Sequence, residues 1–180
     1  MQIAAARLQE QLAKGLRSIY ALHGDEPLLQ QEAADLIRQT ARDQGYTERH
    51  VFTVAGAHFD WESVQAAAGA MSLFSDKLLM DVRIPSGKPG KEGSVALQAL
   101  AERMADQQDV LLLVLLPRLD KTAKSSGWFM ALDNHGATVQ LDPIERAGLP
   151  AWIAHRLGQQ QQRVREGEEG QRSLQFFADR

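Results

Sequence analysis

The sequence predicts an α/β domain over residues 1–142, a mainly parallel five-stranded sheet flanked by helices, followed over residues 143–180 by the start of a small helical second domain. Three observations carry this expectation. Short apolar runs alternate with segments of helical period, the order of a parallel sheet joined by right-handed crossovers. Val110 to Leu116 is unbroken apolar, as a central strand buried on both faces requires. After Asp142-Pro143 the strand-like runs stop and the chain reads as helix and polar tract.

Taken in order, Ile3, Leu8, Leu12 and Leu16 recur at spacings of four and five, predicting an amphipathic N-terminal helix that docks on the domain. Ser18 to Leu22 is a first strand, closed by His23-Gly24-Asp25. Asp25 is placed to cap the next helix, Pro27 is tolerated in its first turn, and Leu28, Leu29, Ala33, Leu36 and Ile37 form its apolar side before it stops at Gly45. His50 to Val54 alternates like a second strand. Asp60 caps a helix carrying Trp61, Val64 and Ala68. Leu78 to Ile84 is a third strand, and Lys77, Asp81 and Arg83 place it in a less buried position.

The stretch 85–93 is rich in glycine, proline and lysine and reads as a flexible loop. Ser94 to Asp106 is a helix with Val95, Leu97, Leu100 and Met104 on its apolar side. Val110 to Leu116 is the fourth strand, Trp128 to Leu132 a short helix and Thr138 to Leu141 the fifth strand. Beyond Pro143, Leu149 to Leu157 is helical and a further helix begins at Glu166. The chain stops with Leu174, Phe176 and Phe177 on a helix too short to bury them, which is the expectation for a truncated second domain.

Composition narrows the function. With 44% apolar and 24% charged residues the chain has the balance of an ordinary folded domain. A net charge of -3 and a pI of about 5.9 leave no overall basic footprint for nucleic acid. The absence of cysteine excludes disulfides, thiolate nucleophiles and cysteine zinc sites, and fits a reducing cytoplasm. The longest apolar run is far shorter than the roughly 20 residues a bilayer span needs.

Catalytic motifs fail one by one. His23-Gly24-Asp25-Glu26-Pro27-Leu28-Leu29 stands where a phosphate loop belongs, yet it has no second glycine, no lysine for the β and γ oxygens and no hydroxyl for magnesium. In Ser86-Gly87-Lys88-Pro89-Gly90-Lys91-Glu92 two required positions of that loop are wrong. His23, His50, His58, His135 and His155 are scattered without metal-ligand spacing, and no GxSxG elbow exists. Asp60 with Glu62, and Glu166 with Glu168 and Glu169, are helix-start charges. Arg118, Lys121 and Lys124 form the one basic cluster of note, but without adjacent stacking aromatics a solvated face explains them better than DNA. No cofactor or metal is expected.

What remains is a binding module. Met71, Leu73 and Phe74 crowd the end of a helix, in the stretch Gly69-Ala70-Met71-Ser72-Leu73-Phe74. Such a cluster is either core under the sheet, the commoner fate of large apolar residues, or a plug for a partner's pocket.

The segment order closely resembles the delta subunit of the bacterial DNA polymerase III clamp loader. Five stretches carry the resemblance: Leu22-His23-Gly24-Asp25-Glu26-Pro27-Leu28-Leu29-Gln30-Gln31-Glu32, Ala70-Met71-Ser72-Leu73-Phe74, the strand Val110 to Leu116, Gly127-Trp128-Phe129 and Leu149-Pro150-Ala151-Trp152-Ile153. It covers the N-terminal domain and the opening of the second. The resemblance implies an AAA+-like (P-loop NTPase-like) fold with a degenerate nucleotide site and no catalysis by this subunit. It implies that Leu73 and Phe74 insert into a pocket on the ring-shaped sliding clamp (the beta subunit), with Met71 alongside and Ser72 between them. It further implies help in opening the ring for loading, partner loader subunits reached through missing C-terminal domains, indirect contact with primer-template DNA, and a place at the replisome in the bacterial cytoplasm. The glutamine that opens the general clamp-binding peptide has no counterpart at Gly69 or Ala70. Two alternatives of other classes stay open: a degenerate nucleotide-dependent enzyme, and a DNA-binding module built on Arg118, Lys121 and Lys124.

Overall fold

Alternation between two hydrophobic faces builds the sheet. A computed structural model of the chain describes residues 1–56, 58–69, 77–105 and 107–179. It divides into two units, Met1–Asp142 and Pro143–Arg180. Among the described residues of the first unit six strands lie parallel: β1 (Gln2–Ala4), β2 (Ile19–His23), β3 (Glu48–Thr53), β4 (Leu78–Arg83), β5 (Val110–Leu116) and β6 (Ala137–Gln140), in the order β1-β6-β2-β5-β4-β3.

Along β2, Ile19 and Ala21 face one core while Tyr20 and Leu22 face the other. The first core is closed by α3 (Trp61–Gly69), α4 (Gly90–Met104), the short α5 (Lys121–Lys124) through Ala123, and α6 (Gly127–His135), and the second by α1 (Leu8–Lys14) and α2 (Pro27–Asp43). The run Val110 to Leu116 is β5, next to β2 in the middle of the sheet, contributing Leu112, Val114 and Leu116 to one core and Leu111 and Leu113 to the other. An unbroken apolar strand is what two covered faces demand.

The α/β class and parallel sheet are as the sequence predicts, but the described residues form six strands rather than five. Ile3 belongs to a strand: it pairs with Val139 on the outer side of β6 and is buried, and the helix is confined to Leu8–Lys14. The five-residue step from Ile3 to Leu8 overshoots one helical turn, and pairing with β6 satisfies the Ile3 backbone instead. Tyr20 then ties α1 down, because its hydroxyl donates to Gln11 Oε1 at 2.9 Å and accepts from the Arg17 amide at 3.1 Å.

Two further expectations are corrected. Strand β4 is an interior strand, and Asp81 within it is fully buried rather than a mark of exposure. Its carboxylate accepts from Arg38 Nη2 of α2 at 2.7 Å and from Arg49 of β3, so the charge is paired from two neighbouring elements. Asp25 does not cap α2. The N-cap is Glu26, without a side-chain bond, and Asp25 Oδ1 instead accepts from the Arg118 amide at 2.9 Å. Asp60 does cap α3, accepting from the Ser63 amide at 3.1 Å. Helix α4 begins at Gly90, inside the stretch the sequence predicts as loop.

In the second unit α7 (Leu149–Gln159) and α8 (Glu168–Ala178) pack as a pair, and Arg146 holds Asp179 at 2.8 Å. Phe176 and Phe177 are exposed on α8. No helix among the described residues is long and apolar enough to cross a membrane.

Candidate functional sites at the two ends of the sheet

A parallel sheet has two chemically distinct ends, and the candidate sites fall at opposite ones. At the N-terminal ends of the strands, α3 finishes at Gly69 and β4 starts at Leu78. The residues singled out for partner contact, Met71, Ser72, Leu73 and Phe74, lie between them, outside the described residues.

Both described flanks of that segment are held. Trp61, Val64 and Ala68 bury one side of α3. The approach of α3 to α4 depends on Gly93, where a Cβ would stand 2.5 Å from the Trp61 ring. At the end of α3, the Arg103 guanidinium of α4 lies over Gly69, 3.1 Å from where a Cβ would be. On the other flank, the Lys77 carbonyl accepts from the Glu48 amide at 3.3 Å and the Leu78 amide donates to the Asp109 carbonyl at 2.8 Å. The Lys77 ammonium sits 5.2 Å from the centre of the Tyr46 ring, whose hydroxyl donates to the Gln108 carbonyl at 2.6 Å. The described residues on either side of the segment are therefore fixed by α4 and by the strand ends.

At the C-terminal ends of the strands lies the crevice in which open α/β sheets bind ligands. Here it is a cleft of about 620 Å³ lined by residues that include Gly24, Asp25, Gln30, Arg38, Arg83 and Leu116. The turn from β2 into α2 consists only of Gly24, Asp25 and Glu26. That is too short for the eight-residue loop that wraps a phosphate chain. Gly24 serves packing instead, since a Cβ there would stand 2.1 Å from the Leu141 carbonyl oxygen. Gln30 Nε2 donates to the Leu116 carbonyl at 2.8 Å, and Asp25 is taken by Arg118, so the turn is bound into its own neighbours.

His23, the last residue of β2, is buried edge-on to Phe129 with ring centroids 5.4 Å apart. Burial, joined by the Lys124 charge and opposed by Asp142, pushes its imidazole down to about 4, so it is neutral at physiological pH. No cluster of potential metal ligands occurs among the described residues. The basic set does not converge on a groove: Arg118 and Lys121 are exposed, and Lys124 Nζ donates to Gln140 Oε1 at 2.7 Å. What sequence reasoning missed is the convergence of Arg38, Arg49 and Arg83 on Asp81. The one available signal was a carboxylate inside an apolar strand.

Comparison with known proteins shows the family and the fold. The family model described as "DNA polymerase III, delta subunit" matches residues 20–142. The chain belongs to the DNA polymerase III delta subunit family. The DNA polymerase III subunit delta of Escherichia coli K12 is 36% identical over 153 residues, 85% of this chain and 44% of that protein. That of Haemophilus influenzae is 27% identical over 162 residues, 86% of this chain and 45% of that protein. The chain thus spans less than half the length of these delta subunits. Among solved structures, the Bacillus subtilis DNA clamp loader delta protein superposes with a TM-score of 0.68 at 17% identity, over 96% of this chain and 51% of that one. The Aeropyrum pernix ORC2 protein gives 0.50 at 15% identity, over 97% and 54%. At these identities the likeness shows the fold, which is AAA+-like.

Proposed function

We propose that this chain is the clamp-contacting part of a clamp-loader delta subunit, engaging a ring-shaped sliding clamp through Leu73 and Phe74, with Met71 and Ser72 beside them, and favouring the open ring. The observation that carries the reading is family membership over the domain that contains this segment. The anchored flanks at Gly69 and Lys77 support it, because a plug must be presented from fixed points to keep its ordering cost low. Each of Leu73 and Phe74, fully buried in a partner's pocket, contributes roughly 1.5–3 kcal/mol, and such central anchors dominate interfaces.

Ring opening on this account needs no hydrolysis by this subunit. A binder that prefers the open arrangement shifts the ring's population by its differential affinity alone. The short β2–α2 turn and the missing lysine agree with a non-catalytic role in which other loader subunits use ATP. The delta subunits named above are longer than this chain, and on this reading the other loader subunits are met through the part of the family that this chain does not match.

The mechanism is tested on a clamp labelled with a fluorescence pair across its subunit interface, with no ATP present. Addition of this chain should raise the open population, and the Leu73→Ala/Phe74→Ala form should not. Saturable micromolar binding of labelled ATP with magnesium by this chain would instead favour a nucleotide-dependent enzyme.

A further inference from the structure

Helices α3 and α4 lie side by side and point the same way. Near their starts, a Cβ on Gly93 in the first turn of α4 would stand 2.5 Å from the ring of Trp61, the first residue of α3. At their ends, a Cβ on Gly69, the last residue of α3, would stand 3.1 Å from the guanidinium of Arg103 in the last turn of α4. Start meets start and end meets end, so the two helix dipoles align and two partially negative C-termini lie together.

Acidic groups complement the starts: Glu62 in the first turn of α3, Glu92 in that of α4, and Asp60 as the cap of α3. At the ends, α3 has no basic residue in its last turn, and Arg103 is the basic residue in the last turn of α4. Arg103 is exposed, and no carboxylate among the described residues pairs with it. Its charge is therefore left to the helix ends, where a cation offsets the terminal carbonyls that have no partner within the helix. The missing side chain at residue 69 is what lets the guanidinium lie against the end of α3.

We propose that Arg103 is a positioning residue for partner binding, holding from α4 the end of α3 that precedes Met71, Ser72, Leu73 and Phe74. This rests on the reading of Leu73 and Phe74 as anchors for a sliding clamp. An anchor that has to be ordered on binding loses affinity to that ordering, so fixing its base raises affinity without a new contact. A cation at a helix C-terminus changes an equilibrium constant by about two- to fivefold.

The test compares the full 180-residue chain with Arg103→Ala, Arg103→Lys and Lys91→Gln. Two quantities are measured: affinity for the sliding clamp of the same organism, and amide hydrogen exchange of residues 67–69 with no clamp present. Arg103→Ala should bind about two- to fivefold more weakly and exchange faster at 67–69. Arg103→Lys keeps the charge, and Lys91→Gln removes a cation from the other end of α4, so both should match the parent in both measurements. Full affinity of Arg103→Ala, while the parent binds and Leu73→Ala/Phe74→Ala does not, would overturn the proposal and leave the clamp reading standing. Weaker binding with unchanged exchange would overturn it too, because the guanidinium would then touch the clamp directly. Arg103→Lys as weak as Arg103→Ala would remove the charge argument. A parent that binds no clamp would overturn the clamp reading, and the proposal with it.

Discussion

Replacing Asp81 by Asn changes two atoms' chemistry and almost no volume, so its consequence reads the charge network alone. The parent carboxylate is fully buried and faces Arg38, whose side chain is 12% exposed, together with Arg49 and Arg83, which are 41% and 43% exposed. Loss of the charge leaves Arg38 buried against Asp35 only, whereas water can solvate the other two. Removing one partner of a buried pair costs about 3–5 kcal/mol. With two of the three cations half exposed, the lower end applies, about 3 kcal/mol, or roughly a hundredfold in the folded-to-unfolded ratio.

Urea unfolding at pH 7, followed by far-ultraviolet circular dichroism, should show a lower midpoint at unchanged slope. The pH profile gives an independent check. Burial raises the Asp81 carboxyl, but hydrogen bonds from Arg49 and Arg38 and the Arg38 and Arg83 charges outweigh it and hold it below its ordinary 3.8. A carboxyl lowered by folding contributes stability that is present above the unfolded value and lost as pH falls through the folded one. The gap between parent and Asp81→Asn should therefore be full near neutrality and close below about pH 4. A midpoint within about 0.5 kcal/mol of the parent at pH 7 would refute the network as the clamp that holds β3 and β4 to α2.

Three other outcomes follow from particular contacts. His23 is held neutral down to about 4 against an ordinary 6.5, so the unfolded chain binds the extra proton first and stability should fall by roughly 3 kcal/mol as pH drops from 6.5 to 4; His23→Phe should flatten that limb of the unfolding profile. Gly93→Ala places a methyl 2.5 Å from the Trp61 ring and should cost about 1–3 kcal/mol by thermal unfolding, with a changed tryptophan emission as α3 is pushed from α4. Leu113→Ala, at a fully buried position of β5, should cost about 2–5 kcal/mol by the same measurement.

How much of this was legible beforehand follows the physics of each element. The central strand was read to the residue, because a strand covered on both faces needs no period other than unbroken apolarity. The alternation that specifies an α/β class was equally local. Strand β1 was not, since three residues with one buried isoleucine become a strand only when β6 is present to pair with them. The position of β4 was misjudged for the same reason: Asp81 looks like exposure until Arg38, 43 residues earlier in the chain, and Arg49 are brought to it. Failure of the phosphate loop could be read from residue types, and the three-residue turn adds the geometric cause. Of the candidate partner site, residue types alone leave core the commoner fate of Leu73 and Phe74, the family resemblance is what makes the segment a candidate, and the structure describes its two flanks.

The central claim, that this domain meets a sliding clamp through Leu73 and Phe74, is tested most directly by an equilibrium titration of the chain against the clamp of the same organism, run in parallel with Leu73→Ala/Phe74→Ala. The account predicts saturable binding by the parent and a loss of at least about 2 kcal/mol, some thirtyfold in Kd, by a double variant whose circular dichroism and unfolding midpoint match the parent. Equal affinity of parent and variant, no binding by either, or a variant that unfolds because the two side chains are core would contradict it.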